Sequence, residues 1–144
     1  MVLVTLELSV CVRDAYAVAA VRGELDITSS AGVMSAIAAL TARHPVVIVE
    51  LSAVDFMDCG ALGALLRVQR LARQGGGDVL LAAPAAIVLR LLGLTGMDEV
   101  FGVHASADAA VAGIAGSPVA GASRRAERAG CSVAGLPALS GSSG

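Results

Sequence analysis

The stretch that decides the fold runs from Glu50 to Gln74 and reads ELSAVDFMDCGALGALLRVQRLARQ. Its first residues end a continuous, mostly β-branched run, residues 46–51, which is typical of a strand covered on both faces. A short acidic loop holding Asp55 and Asp58 is predicted to follow and to lead into an amphipathic helix that begins near Cys59. The first turn of a helix has unpaired N–H groups that point at whatever docks there. We therefore expect a binding or switch site at this junction.

The predicted helix has two distinct sides. Arg67, Arg70 and Arg73 are spaced three apart and share one broad polar side. This side is expected to be solvated, with contact to a partner as the alternative. The apolar side is expected to pack against a sheet and consists of Leu62, Ala64, Leu65, Leu66, Val68, Leu71 and Ala72.

The remaining pattern predicts strands that alternate with helices. Strands are expected at residues 3–12, 15–22, 46–51, 78–83 and 99–104, and helices at 31–43, 59–74, 85–92 and 107–115. Residues 23–26 are expected to break the second strand, with Thr28, Ser29 or Ser30 as the N-cap of the first helix. Ser106 is the predicted N-cap of the last helix. Such an order indicates right-handed parallel βαβ units preceded by an antiparallel hairpin.

The composition indicates one globular domain. The chain has 144 residues, of which 56% are hydrophobic and 15% charged, so it can bury a sizeable core. From about residue 117 the pattern changes to Ser, Gly, Ala and Pro with a few Arg residues. We expect residues 1–116 to form the domain and residues 117–144 to be a flexible C-terminal tail.

Several classes of protein are disfavoured by the same composition. A net charge of −2 and only three aromatic residues argue against binding to nucleic acid. Cys11, Cys59 and Cys131 are widely spaced, which predicts neither a disulfide framework nor a zinc site. The N-terminus lacks a basic region before its apolar run, and no apolar stretch has the length of a membrane span. We expect a soluble, cytoplasmic protein without membrane contact, and the absence of Lys beside abundant Ala and Gly favours a bacterial source.

Catalysis is also disfavoured. The first Arg after Cys59 is Arg67, two helical turns away, so no tight anion loop surrounds the thiol. The glycine run 75–77 lacks the Lys and Ser/Thr of a phosphate-binding loop and precedes a strand. Neither His44 nor His104 lies near a nucleophile motif. The sequence predicts a protein that is not an enzyme and has no catalytic residue, cofactor or metal.

The run VIVELSAVDFMDCGALGALL is similar to the signature of STAS domains, the fold of bacterial anti-sigma factor antagonists. The segments 23–26 (GELD) and 93–97 (GLTGM), the latter followed by Val100 and Phe101, resemble two further motifs of that family. The resemblance covers about residues 3–115. It implies an α/β STAS fold, with a mixed sheet of about five strands, an N-terminal hairpin and four flanking helices.

This chain differs from the family motif at the position where family antagonists have the Ser or Thr that an anti-sigma kinase phosphorylates. Asp58 and Cys59 match the Asp and first Ser of the motif, but Gly60 stands at the phosphoacceptor position. Ala61 replaces a Gly of the motif, while Leu62 and Gly63 match it again. Because glycine has no side chain, residue 60 cannot take a phosphate. The family's usual switch is predicted to be missing.

What the resemblance implies is an anti-sigma factor antagonist. The partner is expected to be an anti-sigma factor of the HATPase-type serine kinase class, whose capture releases a sigma factor. The expected partner-binding residues are Asp26, Thr28, Asp55, Asp58, Cys59, Gly60, Ala61, Leu62 and Gly63.

Individual side chains allow more than one interpretation. Cys59 is either a redox-sensitive thiol at a helix N-terminus or a small residue packed in the turn. Asp58 is an N-cap, an interface residue or both, and Asp26 either binds a partner's cation or shapes the exit from the strand. Ser52 and Thr28 are alternative phosphoacceptors or ordinary turn residues.

Two other functions stay open at this point. Some STAS domains are proposed to bind nucleotides or lipids near the same helix terminus, which makes a small-ligand sensor the main alternative. A scaffold subunit of a signalling complex is the third. Whichever of these functions applies, the protein is expected to be a monomer or a weak homodimer.

Overall fold

A mixed β-sheet organises the chain in the computed structural model, which describes residues 6–115 and 131–135. Its strands within those residues are β1 (Glu7–Val12), β2 (Tyr16–Leu25), β3 (Val46–Met57), β4 (Asp78–Ala82), β5 (Gly102–His104) and β6 (Cys131–Gly135). They lie in the order β5-β4-β3-β2-β1-β6. β1 is antiparallel to β2, whereas β2, β3, β4 and β5 pair in parallel. The predicted hairpin followed by parallel βαβ units is confirmed.

The helices cover both faces of this sheet. They are α1 (Ala31–Thr41), α2 (Cys59–Gln74), α3 (Ala86–Thr95) and α4 (Ala107–Ala115), with a short 3-10 helix at Met97–Glu99. Val47, Val49 and Leu51 of β3 belong to one core cluster, together with residues of α1, α2 and α3. Ile48 belongs to a second cluster with Ala110 and Val111 of α4. The continuous apolar run of β3 thus follows from burial on two faces, as its pattern predicts.

Strands β2 and β3 are both longer than predicted. β2 continues through Gly23 to Leu25, so the expected break at residues 23–26 is wrong. The irregularity takes the form of register shifts between Ala20 and Arg22 and between Gly23 and Glu24. Gly23 has φ 114°, a backbone conformation that side chains disfavour, and this suits glycine to the bulge.

The longer β2 gives the end of β3 a pairing partner. Gly23 pairs with Val54 and Leu25 with Met57, so β3 extends to Met57. Asp55 consequently lies on a strand rather than in the acidic loop that the sequence predicts.

Further differences concern α3 and the outer side of α2. α3 extends to Thr95 instead of ending at residue 92, and Gly96 ends it with φ 75°. β5 begins only at Gly102, after the 3-10 helix. Leu71 is 59% exposed and does not pack against the sheet as predicted.

β6 lies inside the range for which the sequence predicts a flexible tail. It pairs antiparallel with β1, from Glu7 opposite Gly135 to Cys11 opposite Cys131. Its short run of small residues carries no strand signal of its own. Cys11 is disulfide-bonded, a feature that the cysteine spacing does not predict. Among the described helices, none has the length and apolar character needed to cross a membrane.

Candidate functional site

Two chain segments meet at the carboxyl edge of the sheet. One is the turn of residues 26–30 between β2 and α1, and the other is the junction of residues 57–60 between β3 and α2. Because β2 and β3 are parallel neighbours, their ends lie side by side, with Leu25 paired to Met57. The backbone N–H of Asp58 donates to the carbonyl of Leu25 at 3.2 Å. We call these two segments together the docking edge.

Asp58 holds the docking edge together with its side chain. One carboxylate oxygen, Oδ1, accepts the N–H of Ala61 at 2.8 Å and so caps α2. The other, Oδ2, accepts the N–H of Ile27 at 3.2 Å, across to the neighbouring turn. The predicted cap is confirmed, and the same carboxylate has a second role as a bridge between the two segments.

Asp26 shapes the neighbouring turn. Its Oδ1 accepts the N–H of Thr28 at 2.9 Å, the hydroxyl of Thr28 at 2.7 Å and the N–H of Ser29 at 2.7 Å. The hydrogen bond from the Thr28 hydroxyl, followed by that from the Ser29 backbone, lowers the pKa of Asp26 below its usual value. Of the two interpretations of Asp26, these bonds support the shaping of the strand exit. Ser30, the first residue before α1, makes no side-chain cap bond, although the sequence offers it as an N-cap.

The predicted partner-binding residues divide into an accessible and a buried group. Thr28, Asp55 and Cys59 are exposed, and Cys59 is a free thiol. Asp26, Asp58, Gly60 and Gly63 are partly exposed. Ala61 and Leu62 have exposures of 0% and 3%, because the first turn of α2 directs them into the core. Their side chains therefore do not form part of the accessible surface, although both residues are in the predicted partner-binding set. For Leu62, the burial agrees with its predicted place on the apolar side of the helix.

Two apolar residues at this edge are absent from the predicted set. Ile27, in the turn before α1, is 63% exposed, and Phe56, near the end of β3, is 41% exposed. The available sequence signal for Ile27 is an isolated apolar residue inside a polar turn, Asp-Ile-Thr-Ser-Ser.

A groove leads away from the docking edge between α1 and α2. It has a volume of about 350 Å³, and its lining includes Ile27, Met34, Gly60, Ala64, Arg67 and Leu71. The groove is therefore mostly apolar, with one guanidinium group among its lining residues.

The arginines of α2 lie on the outer side of the helix, as predicted. Arg67, Arg70 and Arg73 are all exposed. Arg73 pairs with Asp78 at 2.9 Å and donates from Nη2 to the carbonyl of Val100 at 3.4 Å. Arg73 thus has an intramolecular role, whereas Arg67 lines the groove.

The polar groups of the docking edge are carboxylates, hydroxyls and one thiol. Within residues 6–115, no group of three His, Cys, Asp or Glu side chains is placed to hold a metal ion. The carboxylates of Asp26 and Asp58 are occupied with backbone N–H groups, and the exposed thiol of Cys59 stands at the start of α2.

The comparisons with known proteins agree with this geometry. The model of the STAS domain family matches residues 8–110. The chain belongs to the STAS domain family. The family resemblance found in the sequence motifs is thereby confirmed.

Two relatives of this STAS domain are named as anti-sigma factor antagonists. The anti-sigma-F factor antagonist RsfA of Mycobacterium tuberculosis is 32% identical over 103 residues, which cover 69% of this chain and 80% of RsfA. The crystal structure of an anti-sigma factor antagonist from Mycobacterium paratuberculosis superimposes with a TM-score of 0.69 at 26% identity, covering 76% of this chain and 93% of that one.

A third neighbour shows the fold alone. The anti-sigma factor antagonist SpoIIAA in its unphosphorylated form has a TM-score of 0.66 at 20% identity, and the match covers 78% of this chain and 97% of that chain. The predicted α/β STAS fold is confirmed.

Proposed function

We propose that this STAS domain is an anti-sigma factor antagonist that binds its partner through the docking edge. The observation that carries the proposal is the bridge made by Asp58, which joins the turn before α1 and the start of α2 into one accessible surface. Relatives that cover most of the domain and bear the name of anti-sigma factor antagonists support the choice of partner class. Binding would displace a sigma factor from the anti-sigma factor by competition.

The composition of the docking edge suits a protein partner. Within it, Ile27 provides an exposed apolar group, and Asp26 and Asp58 provide carboxylates. The exposed residues Asp55 and Phe56 of β3 directly precede it in the chain. An apolar centre with a polar rim is the usual anatomy of a protein interface. The carboxylates give the edge a negative character, which favours a partner surface that carries Arg or Lys.

Regulation is proposed to differ from that of antagonists with a phosphoacceptor Ser or Thr. Gly60 offers no hydroxyl, and the Thr28 hydroxyl donates to Asp26 at 2.7 Å. A phosphate would add a charge of about −1.5 to −2 beside the start of α2 and change what can dock there. Without it, affinity for the anti-sigma factor is constitutive or is regulated in another way.

The same proposal includes the remaining expectations of partner and place. The partner is an anti-sigma factor of the serine kinase class, the domain acts in the cytoplasm without catalysis, and it is a monomer or weak homodimer. Measurement of the mass of the native protein tests the last point directly.

A sigma-release assay tests the proposed function. The purified chain is titrated into complexes of each anti-sigma factor with its sigma factor from the same organism, and the free sigma factor is measured. Asp58→Ala should weaken release, whereas Asp98→Ala, which removes an exposed carboxylate from the 3-10 helix, should not. Release should be unchanged when ATP is added. The proposal fails when no anti-sigma factor of the organism yields its sigma factor, or when ATP abolishes release.

The groove between α1 and α2 supports a second candidate, a sensor of a small ligand. Its apolar lining with Arg67 suits an apolar molecule with an anionic group, such as a fatty acid or, less well, a nucleotide. Thermal shift measurements with fatty acids, GTP and ATP separate the two candidates. A rise in Tm with one of them, lost in Arg67→Ala, favours the sensor.

A further inference from the structure

Ile27 lies directly against the backbone of Gly60. A Cβ atom built on Gly60 would lie closest to Cδ1 of Ile27, and it would stand 2.8 Å from Cβ of Ile27 and 3.1 Å from its Cγ1. Carbon atoms in non-bonded contact are normally about 3.5–4.0 Å apart. The space that any side chain at residue 60 would enter is therefore already occupied by Ile27.

The overlap involves Cδ1 of Ile27, which a change of rotamer can move, and also its Cβ, which cannot move independently of the backbone. A long side chain can rotate its far end away from a neighbour, but Cβ is fixed by the backbone. Relief of the contact would thus require the turn of residues 26–30 to move.

Hydrogen bonds to Asp58 and hydrogen bonds within the turn hold residues 26–30 in place. The N–H of Ile27 donates to Oδ2 of Asp58 at 3.2 Å. Its neighbours are fixed by the three hydrogen bonds to Oδ1 of Asp26, and the Ser29 hydroxyl donates to the carbonyl of Glu24 at 3.2 Å. A shift of Ile27 would stretch several of these bonds together.

Gly63 provides the contrast on the same helix. A Cβ built on Gly63 meets no atom within 4 Å, although this residue is only three positions further along α2. A side chain is therefore tolerated at residue 63 and excluded at residue 60.

We propose that Ile27 fills the space that a side chain at residue 60 would need. The docking edge therefore has a single form, and a hydroxyl at residue 60 could not convert it into a phosphorylation switch. Ile27 is a positioning residue here, and the loss of the switch is a property of the packed pair Ile27–Gly60 and not of residue 60 alone. This inference rests on the proposed function for its biological meaning, while the packing itself does not depend on any partner.

The test is a double-mutant cycle read by thermal unfolding of the full chain. Gly60→Ser should lower Tm by about 5 °C, the expected effect of forcing extra atoms into a filled space. The matched control Gly63→Ser should leave Tm unchanged or raise it slightly, because Ser is the better helix former and finds open space.

Substitutions of Ile27, the second residue of the cycle, show whether the cost of Gly60→Ser comes from contact with Cβ of Ile27 or from an effect unrelated to Ile27. Ile27→Ala removes the contacts of Cδ1 and Cγ1 but keeps Cβ, so it should relieve only part of the cost of Gly60→Ser. Ile27→Gly removes Cβ, so Gly60→Ser should cost nothing in that background. A Gly60→Ser single variant that fails to fold counts as the extreme of the expected loss, provided that the double variant with Ile27→Gly folds.

Two results would overturn the inference. One is an equal change of Tm for Gly60→Ser and Gly63→Ser, and the other is the same cost of Gly60→Ser with Ile27 and with Gly at residue 27. Neither measurement uses an anti-sigma factor. Failure of the cycle therefore leaves the sigma-release assay informative, and failure of that assay leaves the cycle informative.

Discussion

The junctions β3–α2 and β4–α3 occupy equivalent positions, since each leads from the carboxyl end of a parallel strand into a helix. They are held in different ways. At the start of α2, the side chain of Asp58 caps the helix and bridges to Ile27. At the start of α3, the N-cap residue Ala85 makes no side-chain bond, and its N–H donates to the carbonyl of Leu51 at 3.2 Å.

The difference shows that the edge of a parallel sheet does not by itself define the site. Topology makes both junctions accessible, but only at β3–α2 do polar side chains fix two segments in one surface. The β4–α3 junction is held by backbone bonds, and it contains Ala83 with φ 48°, which is unusual for a residue with a side chain. Fixed side chains are what a preorganised docking surface requires.

The largest effect is expected from Asp58→Ala. The substitution removes the cap of α2 and the bridge to Ile27, and we expect it to reduce the free energy of unfolding by about 2 kcal/mol. Chemical denaturation measures this directly. A loss below about 0.5 kcal/mol, the level of an ordinary surface substitution, would contradict the role given to the bridge.

Asp26→Ala should have the next largest effect, about 1 kcal/mol at neutral pH, because several hydrogen bonds to one carboxylate are lost. Since the pKa of Asp26 is lowered in the folded state, its contribution is present above the pKa of the unfolded chain and is lost as the pH falls through the folded value. The stabilities of the wild type and the variant should thus converge below about pH 4. Denaturation at a series of pH values tests this, and a difference independent of pH would exclude the carboxylate as the cause.

The comparison between junctions is sharpened by giving α3 the cap that it lacks. Ala85 has the extended backbone of an N-cap, with φ −61° and ψ 159°. Ala85→Ser should therefore raise the free energy of unfolding by roughly 0.5–1 kcal/mol. Sigma release should be unaffected, because this junction lies outside the docking edge. A gain in stability accompanied by a loss of release would place α3 in the interface.

The smallest effect is expected from Ala83→Gly. Glycine relieves the positive φ but increases the freedom of the unfolded chain, which leaves a net gain of about 0.5 kcal/mol at most. Thermal unfolding should show a small rise in Tm. A clear fall in Tm would mean that the methyl group of Ala83 contributes packing that outweighs the strain.

Features set by local sequence could be predicted, among them the strand β3, the start of α2 and its cap Asp58. A β-branched run and a carboxylate before a helix act through their immediate neighbours. The extension of β2 and β3 could not be predicted, because it depends on the pairing of Leu25 with Met57, far apart in the chain.

The docking edge was predictable in its polar residues and not in its apolar ones. Asp26 and Asp58 belong to motifs, whereas Ile27 gains its position only when the two segments meet. Ala61 and Leu62 enter the predicted partner-binding set by their place in the motif, although the helix turns both into the core, as the apolar pattern predicts for Leu62. A linear motif therefore marks the two segments that meet at the sheet edge but does not separate their inner residues from their outer ones.

The most direct test of the central claim is the affinity of the unmodified chain for its anti-sigma factor, measured beside Asp58→Ala and Ala83→Gly. We predict that Asp58→Ala weakens binding at least about tenfold, which corresponds to roughly 1.4 kcal/mol, while Ala83→Gly binds like the wild type. Equal affinities of all three proteins, or a loss confined to Ala83→Gly, would contradict docking through the β3–α2 junction.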